Sequence, residues 1–501
     1  MNTSLLLQMA ADGIPDRIAV GSKSNGLAYA QLAAAAARTA DWLDAHTAER
    51  VAYLGLNSPA FPITLFASGM AGRAFVPVNY RLPDASLRKL LARTAPSLVV
   101  VDEEFLPRVG GIDGVEVISR QQLLEIARIG PAPEIPAGSD AADIALMLFT
   151  SGTTGEPKAA ILRHQHLTSY VVQTVDFMGA DENEAILVSV PPYHIAGVSS
   201  LLTSIYGGRR VVQLEAFSPT SWIDLANAEQ ITHAMVVPTM LGRIVEELER
   251  SGKRLPSLRS LAYGGGRMPV SVIRRAIELM PWVDFVNAYG LTETSSTITV
   301  LGPDDHRAAY ASEDPAVIER LGSVGRALPS VIIEIRDERG VPVAPGILGE
   351  IWVRGEQVSG EYVGRKAIQD DGWLRTNDFG RIDAAGYLFV EGRLDDVIVR
   401  GGENISPGEI EEVLRSHDVV RDAAVVGVPD DEWGERIAAV VVAEGASEDE
   451  LKAFVRTRLR STKVPETIEF RSELPYNDMG KLLRRELRQQ LAGSSAVGGT
   501  K

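Results

Sequence analysis

The alternation of short apolar runs with amphipathic stretches constrains the fold of this chain more than any other feature of its sequence. Helical patterns such as 29–46 and 240–250 separate several of these runs. Alternation of this kind predicts an α/β fold in which helices cover mostly parallel sheets. The runs typical of buried strands are RVAYLGL (50–56), SLVVVDEE (97–104), IALMLFT (144–150), AILVSVPP (185–192), RRVVQL (209–214) and AMVVPTM (234–240).

The character of the sequence changes near residue 331. Residues 331–355 and 381–393 are typical of strands joined by Gly/Pro turns. Beyond Asp395 a short α/β segment follows, with helices at 409–417 and 448–460 and strands at 423–430 and 437–444.

Two domains are therefore expected. Residues 1–394 would form a large N-terminal domain of layered α/β subdomains plus a β-rich subdomain. Residues 395–501 would form a small, mobile C-terminal α/β domain with a hinge near Asp395. Residues 491–501 are small and polar, so we expect a disordered tail.

Bulk composition excludes several classes of function. The net charge of −16 disfavours nucleic acid and anionic membrane surfaces as partners. The absence of cysteine excludes disulfides, thiolate catalysis and cysteine-ligated metals. No stretch approaches the roughly 20 apolar residues of a membrane span, and the N-terminus lacks the basic flank of a signal peptide. We expect a cytoplasmic protein without a membrane span, and a homodimer is compatible with this interpretation.

The run LFTSGTTGEPKAAILRH (148–164) has the composition of a phosphate-binding loop. It supplies glycines for close backbone approach, hydroxyl donors, and Lys158 as a counter-charge. A Walker A loop is excluded, because Lys158 follows Pro157 and the next residues predict a strand rather than a helix. The sequence therefore predicts a loop that joins two strands, with a solvent loop as the alternative.

Two further motifs carry polar groups after apolar runs. AYGLTETSS (288–296) offers the ring of Tyr289, the hydroxyl of Thr292 and the carboxylate of Glu293. A carboxylate beside a triphosphate suits Mg²⁺, which takes few protein oxygens together with phosphate oxygens. LRTNDFGR (374–381) places Asp378 where it could accept two ribose hydroxyl protons; a capped surface turn is the alternative for each motif.

The last two motifs surround the expected small domain. EGRLDDVIVRGGENISPGEIEEVL (391–414) contains paired glycines that permit close approach, and its Ser406-Pro407 and Glu409 predict an N-cap with a capping box. LPYNDMGKLLRREL (474–487) places Lys481 before a basic helix. Residues 451–490 hold ten Lys/Arg against five Asp/Glu, which indicates either a solvated helical face or a surface for polyanionic ligands.

In this order and at these separations, the motifs resemble those of the ANL superfamily of adenylating enzymes, in its acyl-/aryl-CoA synthetase branch. The resemblance covers about residues 15–490. It implies ATP-dependent activation of a carboxylic acid to acyl-AMP with pyrophosphate release, then transfer to CoA. The implied cofactors are ATP, Mg²⁺ and coenzyme A. The alternatives are delivery to an amine or a carrier protein, and a nucleotide-binding sensor without turnover.

The resemblance also implies roles for individual residues. Lys481, Glu293, Thr292 and His194 would be catalytic, with Lys481 bridging the acyl carboxylate and the α-phosphate, His194 at the acyl pocket and Glu293 on Mg²⁺. The implied nucleotide- and CoA-binding residues are Thr150, Ser151, Gly152, Thr153, Thr154, Gly155, Lys158, Gly264, Gly265, Gly266, Asn287, Tyr289, Gly290, Asp378, Arg393, Gly401, Gly402 and Trp433.

Several positions depart from the pattern of the superfamily. Asn377 stands where Gly usually precedes the ribose-binding Asp, and Ala159 stands where Gly usually follows the loop lysine. Arg267 stands where Pro is common, and we expect it to lie near the acyl pocket and to alter acyl choice. The acid itself is expected to be aryl, alicyclic or alkyl, because the remaining pocket candidates are mostly apolar: Val198, Val237, Tyr263 and Ile298.

Overall fold

The computed structural model describes residues 1–134, 140–150, 158–401, 403–430, 433–477 and 482–497. Its α-helices are α1 Ser4–Gly13, α2 Tyr29–Asp44, α3 Ala60–Met70, α4 Asp84–Ala92, α5 Leu106–Val109, α6 Arg120–Arg128, α7 His164–Thr174, α8 Ile195–Gly207, α9 Pro219–Ala228, α10 Pro238–Ser251, α11 Val270–Leu279, α12 Pro303–Ala311, α13 Pro315–Ile318, α14 Pro407–Arg415, α15 Glu448–Arg456 and α16 Arg484–Val497. Within the described ranges, no helix is long and apolar enough to cross a membrane.

The strands fall in the order that the apolar runs predict. Those before residue 302 are β1 Ile18–Val20, β2 Leu27–Ala28, β3 Arg50–Leu54, β4 Ala74–Pro77, β5 Ser97–Val101, β6 Val115–Ser119, β7 Ile144–Thr150, β8 Lys158–Arg163, β9 Ala185–Val188, β10 Arg210–Gln213, β11 His233–Val236, β12 Ser260–Gly264, β13 Asp284–Leu291 and β14 Ser296–Leu301. Those after it are β15 Arg326–Ala327, β16 Val331–Arg336, β17 Gly349–Gly355, β18 Glu361–Tyr362, β19 Arg365–Lys366, β20 Leu374–Ile382, β21 Leu388–Arg393, β22 Ile398–Arg400, β23 Glu403–Ile405, β24 Val420–Asp430, β25 Gly434–Ala443 and β26 Thr467–Phe470.

Two large sheets form the layered part of the fold. One has the strand order β15-β14-β13-β12-β11-β9-β10-β1-β2 and the other β19-β18-β8-β7-β4-β3-β5-β6. Pairing is parallel from β13 through β12, β11, β9 and β10 to β1, and parallel from β7 through β4, β3 and β5 to β6. Most helices packed on these sheets share one apolar core, in which Trp222, Tyr29 and Phe66 are fully buried, whereas α4 and α5 pack in a second core. The predicted α/β class is confirmed.

Two smaller sheets follow in the chain. The first, β16-β17-β20-β21, is antiparallel, as the Gly/Pro turns after residue 331 predict. The second contains β23-β22-β25-β24 with β26 beside β25, and α14 and α15 pack against it around Ile410, Leu414 and Leu451. A single 3₁₀ turn, Leu394–Asp396, connects the two sheets.

One local prediction is wrong. Ser406 does begin α14 with Pro407 in its first turn, but the Ser406 hydroxyl donates to the Glu391 carbonyl (3.0 Å) and Glu409 pairs with Lys463, so the capping box does not form. Each side chain finds a partner from a distant part of the chain that competes with the local bond. The last helix, α16, extends to Val497, beyond the buried Leu487 and Leu491, and the disorder of residues 491–501 stays a prediction. Residues 498–501 lie outside the described ranges.

Candidate active site

The expected phosphate loop lies where β7 ends and β8 begins. Thr150 ends β7 and Lys158 begins β8, and the two residues are paired in an antiparallel hairpin. The predicted connection between two strands is therefore confirmed. Ser151, Gly152, Thr153, Thr154 and Gly155, the rest of the expected phosphate loop, lie outside the described residues.

Tyr289, Asp378 and Arg393 form a bonded triad on neighbouring sheets. The Tyr289 hydroxyl donates to Oδ2 of Asp378 across 2.6 Å, and Nε of Arg393 lies 3.0 Å from Oδ1. Asp378 and Arg393 are register partners on β20 and β21, and Asp378 is 6% exposed. A carboxylate has about four lone-pair sites, so these two bonds do not by themselves saturate Asp378, which is expected to bind ribose.

Charges within the triad hold it in one ionisation state. Burial, followed by the charge of Asp378, raises the pKa of Tyr289 well above its ordinary value, so the hydroxyl stays a donor. Burial alone would lower the pKa of Arg393, but nearby negative groups, Asp378 first, raise it. The Arg393 guanidinium also donates to the Thr376 carbonyl (3.0 Å), and the Thr376 hydroxyl accepts from the Asp378 backbone N–H (3.0 Å).

Asn377 explains one departure from the pattern of the superfamily. Its φ is +57°, in the left-handed region where asparagine is among the few tolerated side chains besides glycine. The backbone of β20 therefore turns as it would with Gly, and Asp378 keeps its direction toward Arg393. Asn377 leaves the triad intact.

Glu293 has a partner that the motif does not reveal. It lies in the 3₁₀ turn Thr292–Thr294, whose residues contact β8, and its carboxylate accepts a hydrogen bond from the Tyr362 hydroxyl. Its carbonyl accepts from the Ser359 N–H (2.8 Å). Tyr362 lies on β18 opposite Ala160 of β8. Its hydrogen bond therefore holds Glu293 near β8, the strand that begins at Lys158. Burial, and then Glu293, raises the pKa of Tyr362.

Two glycines that flank this site are required by close backbone contacts. A Cβ at Gly264 would lie 2.1 Å from the Ala288 carbonyl oxygen, and one at Gly290 would lie 1.6 Å from that of Ser296. Gly265 has φ +81°, and Gly266 completes the turn after β12. The side chain of Asn287 is hydrogen-bonded within the protein, because its amide donates to the Ser323 carbonyl (2.9 Å).

Three of the acyl-pocket candidates are buried apolar residues. Val198, Val237 and Ile298 are fully buried among apolar neighbours. His194 precedes α8, and its ring lies 4.5 Å from that of Tyr193. Tyr263 is directed elsewhere, since its hydroxyl lies 2.8 Å from Nε2 of the buried His306 in α12. Sequence patterning gives strand alternation but not this partner.

On the small sheet, Gly401 and Trp433 are in direct contact. The Gly401 N–H donates to the Trp433 carbonyl (2.8 Å), and a Cβ at Gly401, where φ is +56°, would lie 3.1 Å from the Trp433 ring. Trp433 is 47% exposed, and the Arg400 guanidinium lies 5.4 Å from its ring centroid. Gly402 and Lys481 lie outside the described residues.

The excess of basic residues between 451 and 490 is partly paired. Arg484 is bound to the buried Glu411, and Lys452 lies 2.8 Å from Glu448. Lys463 and Arg471 also have carboxylate partners. These pairs favour the interpretation as a charge-balanced surface over one built for polyanions.

Comparison with known proteins assigns the class. Residues 7–363 match the AMP-binding enzyme family and residues 409–481 match the AMP-binding enzyme C-terminal domain. The chain therefore belongs to the AMP-binding enzyme family, and the predicted resemblance to adenylating enzymes is confirmed. The prediction of an AMP-forming ligase is confirmed at the same level, because most of the curated relatives are named as CoA synthases or CoA ligases, and one as a fatty acid–acyl-carrier-protein ligase.

Particular relatives span nearly the whole chain. Feruloyl-CoA synthase from Amycolatopsis sp is 36% identical over 489 residues, covering 95% of this chain and 96% of its own. The o-succinylbenzoate CoA synthetase MenE from Bacillus subtilis, solved with the acyl-adenylate OSB-AMP, is 31% identical with a TM-score of 0.84, covering 96% of this chain and 97% of its own. The same enzyme has been solved with ATP and magnesium ion.

A third relative has been solved in two states. ATP-bound MatB from Rhodopseudomonas palustris is 28% identical with a TM-score of 0.87, and apo MatB is 27% identical with a TM-score of 0.79. Both alignments cover 98% of this chain and 99% of the other. The arrangement of this chain is thus more similar to the ATP-bound form.

Proposed function

We propose that this enzyme activates an aryl or related apolar carboxylic acid with ATP, releases pyrophosphate, and transfers the acyl group from acyl-AMP to CoA. The observation that carries this proposal is the Tyr289–Asp378–Arg393 triad with Glu293 held beside the hairpin of Lys158. These groups supply ribose acceptors, a cation for phosphate and a carboxylate on the phosphate side. They support a bound ATP whose α-phosphorus is open to attack.

The chemistry requires that two anions approach each other. A carboxylate oxygen of the acid attacks the α-phosphorus, the bond to the pyrophosphate oxygen breaks, and pyrophosphate leaves with the electron pair. Lys158 and Lys481 would neutralise the charge that shifts toward the phosphates in the transition state. Glu293 would hold Mg²⁺, which when bound spreads the negative charge of the triphosphate.

The second reaction uses a thiol that belongs to the substrate. The CoA sulfur attacks the acyl-AMP carbonyl, and AMP leaves as the anhydride bond breaks. We propose that residues 395–501 swing about Asp395 between the reactions, so that Lys481 serves the first and Gly401-Gly402 with Trp433 serve the second. Such a rotation, in which one part of the small domain replaces another at the active site, is a gating step. The exposed Trp433 ring beside Arg400 supports contact with the CoA nucleotide.

The names of two relatives support the choice of acid. One is named for feruloyl-CoA and the other for o-succinylbenzoate, and both names denote aryl acids. Val198, Val237 and Ile298 are buried and apolar, and their contact with the acid stays a prediction. The homodimeric state and the cytoplasmic location stay predictions, which light scattering and cell fractionation test.

A panel of acids tests the proposal. Ferulate, 2-succinylbenzoate, octanoate and phenylalanine are incubated with ATP and Mg²⁺, and pyrophosphate release is measured before CoA is added. We expect release with an aryl acid, weak or no release with phenylalanine, and a thioester only after CoA addition. If none of the acids increases pyrophosphate release, the proposal is contradicted. Product formed with an amine or a carrier protein but not with CoA would favour the alternative acceptors.

A further inference from the structure

Arg267 contacts carboxylates on both sides of the proposed hinge. It directly follows the turn Gly264–Gly266, and its guanidinium hydrogen-bonds Glu412 on α14. Its Nη1 also lies 4.0 Å from Oε2 of Glu391 on β21. Glu391 precedes Asp395 in the chain and Glu412 follows it. One ion pair therefore crosses the hinge and the other does not.

The local backbone is shaped for this contact. A Cβ at Gly408, in the first turn of α14, would lie 2.1 Å from Nη1 of Arg267, so a side chain there would displace the guanidinium from its present position against the helix. The Ser406 hydroxyl fixes the start of the same helix by donating to the Glu391 carbonyl (3.0 Å). These contacts give Arg267 a partner on α14, and its expected influence on acyl choice stays a prediction.

We propose that Arg267 is a positioning residue that holds the small domain in the orientation used for adenylation. When α14 leaves, the guanidinium loses Glu412 and keeps Glu391, so its charge stays compensated in the other orientation. The assignment to adenylation follows from the greater similarity of this chain to ATP-bound MatB than to the apo form. The inference rests on the proposed function, because it assigns a role within that two-step reaction.

The ion pair is partly exposed, and this sets the size of the expected effect. The side chains of Arg267 and Glu412 are 33% and 48% exposed. Exposed pairs are weak and are screened by salt, so removing this one should shift an orientation equilibrium by about two- to fivefold. A shift of this size tunes the partition between the two half-reactions without abolishing either.

Distance measurement tests the inference without knowledge of the acid. The chain has no cysteine, so Arg254→Cys and Asp449→Cys place two spin labels at exposed positions, one in the large domain and one in the small domain, without background labelling. Pulsed EPR with ATP and Mg²⁺ should show a major distance population. Arg267→Met should reduce that population about two- to fivefold relative to the second one, and 1 M salt should have the same effect on the parent.

Two further variants separate a specific contact from general damage. Arg267→Met combined with Glu412→Gln should shift the populations no further than Arg267→Met alone, because the pair is already broken. Arg275→Met removes an exposed ion pair to Glu249 that lies wholly in the large domain, and it should leave the distances unchanged. Distances in Arg267→Met that equal those of the parent, or an equal shift in Arg275→Met, would overturn the inference.

Half-reactions provide the second readout. With ferulate and feruloyl-AMP as the probes, Arg267→Met should lower the rate of adenylation relative to that of thioester formation by about the same two- to fivefold. An equal change in both rates would contradict a positioning role. Failure of the proposed function is distinguishable, because the parent enzyme would then release no pyrophosphate with any acid while the distance populations still respond to Arg267→Met.

Discussion

The hydroxyl of Tyr289 donates a 2.6 Å hydrogen bond to Oδ2 of Asp378, although 89 residues separate them in the chain. Tyr289, which is expected to bind the nucleotide, thus also orients the residue expected to bind ribose. Because Arg393 lies 3.0 Å from the other oxygen of the same carboxylate, Asp378 joins these three expected nucleotide-binding residues.

Replacing Tyr289 with Phe should weaken ATP binding while the ring remains. The loss of a hydrogen bond to a charged group frees one oxygen of Asp378, so we expect the KM for ATP to rise about tenfold with a smaller change in kcat. Steady-state kinetics at varied ATP measure this. The matched control is Tyr310→Phe, which removes a tyrosine–carboxylate bond to Glu278 far from the triad. An equal KM in Tyr289→Phe and the parent would contradict the coupling.

Replacing Tyr362 with Phe should raise the requirement for magnesium. The Tyr362 hydroxyl fixes the carboxylate of Glu293, and without it the carboxylate must be ordered by the metal. We expect the Mg²⁺ concentration for half-maximal adenylation to rise about tenfold or more. A Mg²⁺ titration at saturating ATP tests this, and an unchanged midpoint would show that Tyr362 does not orient the ligand.

Acid should destabilise the protein through His164. Its ring is 1% exposed and its Nδ1 accepts from the Thr3 N–H (3.2 Å), and burial lowers its pKa from 6.5 to about 4. Between these values the unfolded state binds a proton that the folded state does not. The free energy of unfolding is therefore unaffected by this titration above pH 6.5. It decreases as the pH falls toward 4, by about 2 kcal/mol at pH 5.

Thermal unfolding at pH 7.5 and pH 5.0 checks this sign. His164→Asn keeps an acceptor for Thr3 but cannot titrate, so its loss of Tm between the two pH values should be smaller than that of the parent. His46→Asn, at a side chain that is 20% exposed, is the control. A parallel loss of Tm in His164→Asn and the parent would contradict the assignment to His164.

Much of the fold follows from sequence patterns, and so do some of the contacts in the candidate site. Strand Ile144–Thr150 has the predicted bounds, because a continuous apolar run before a glycine-rich loop has few other solutions. Asp378 and Arg393 were expected at one ligand, and register brings them together. The Tyr362–Glu293 bond has no such signal, because it depends on how β18 pairs with β8 and no local pattern encodes that pairing.

The same limit explains the failure of the capping box. Ser406 and Glu409 satisfy the local rule, but Glu391 and Lys463 are stronger partners once the two small sheets are adjacent. Local propensity is reliable where only neighbours compete. It fails at contacts between separately folded layers, where Tyr289, Glu293 and Arg267 also find their partners.

The central claim is that Lys481 of the small domain serves only the first of the two half-reactions, and Lys481→Ala tests it most directly. If Lys481 stabilises only the charge that shifts during attack on the α-phosphorus, its loss should cost about 10²–10³-fold in adenylation, similar to the loss of one oxyanion donor. The control is Lys253→Ala, which removes an exposed lysine bound to Asp224. The measurement is the ratio of acid-dependent pyrophosphate exchange to thioester formation from supplied acyl-AMP and CoA. We predict that exchange collapses while thioester formation keeps its rate; an equal loss in both half-reactions, or no loss in either, would contradict the account.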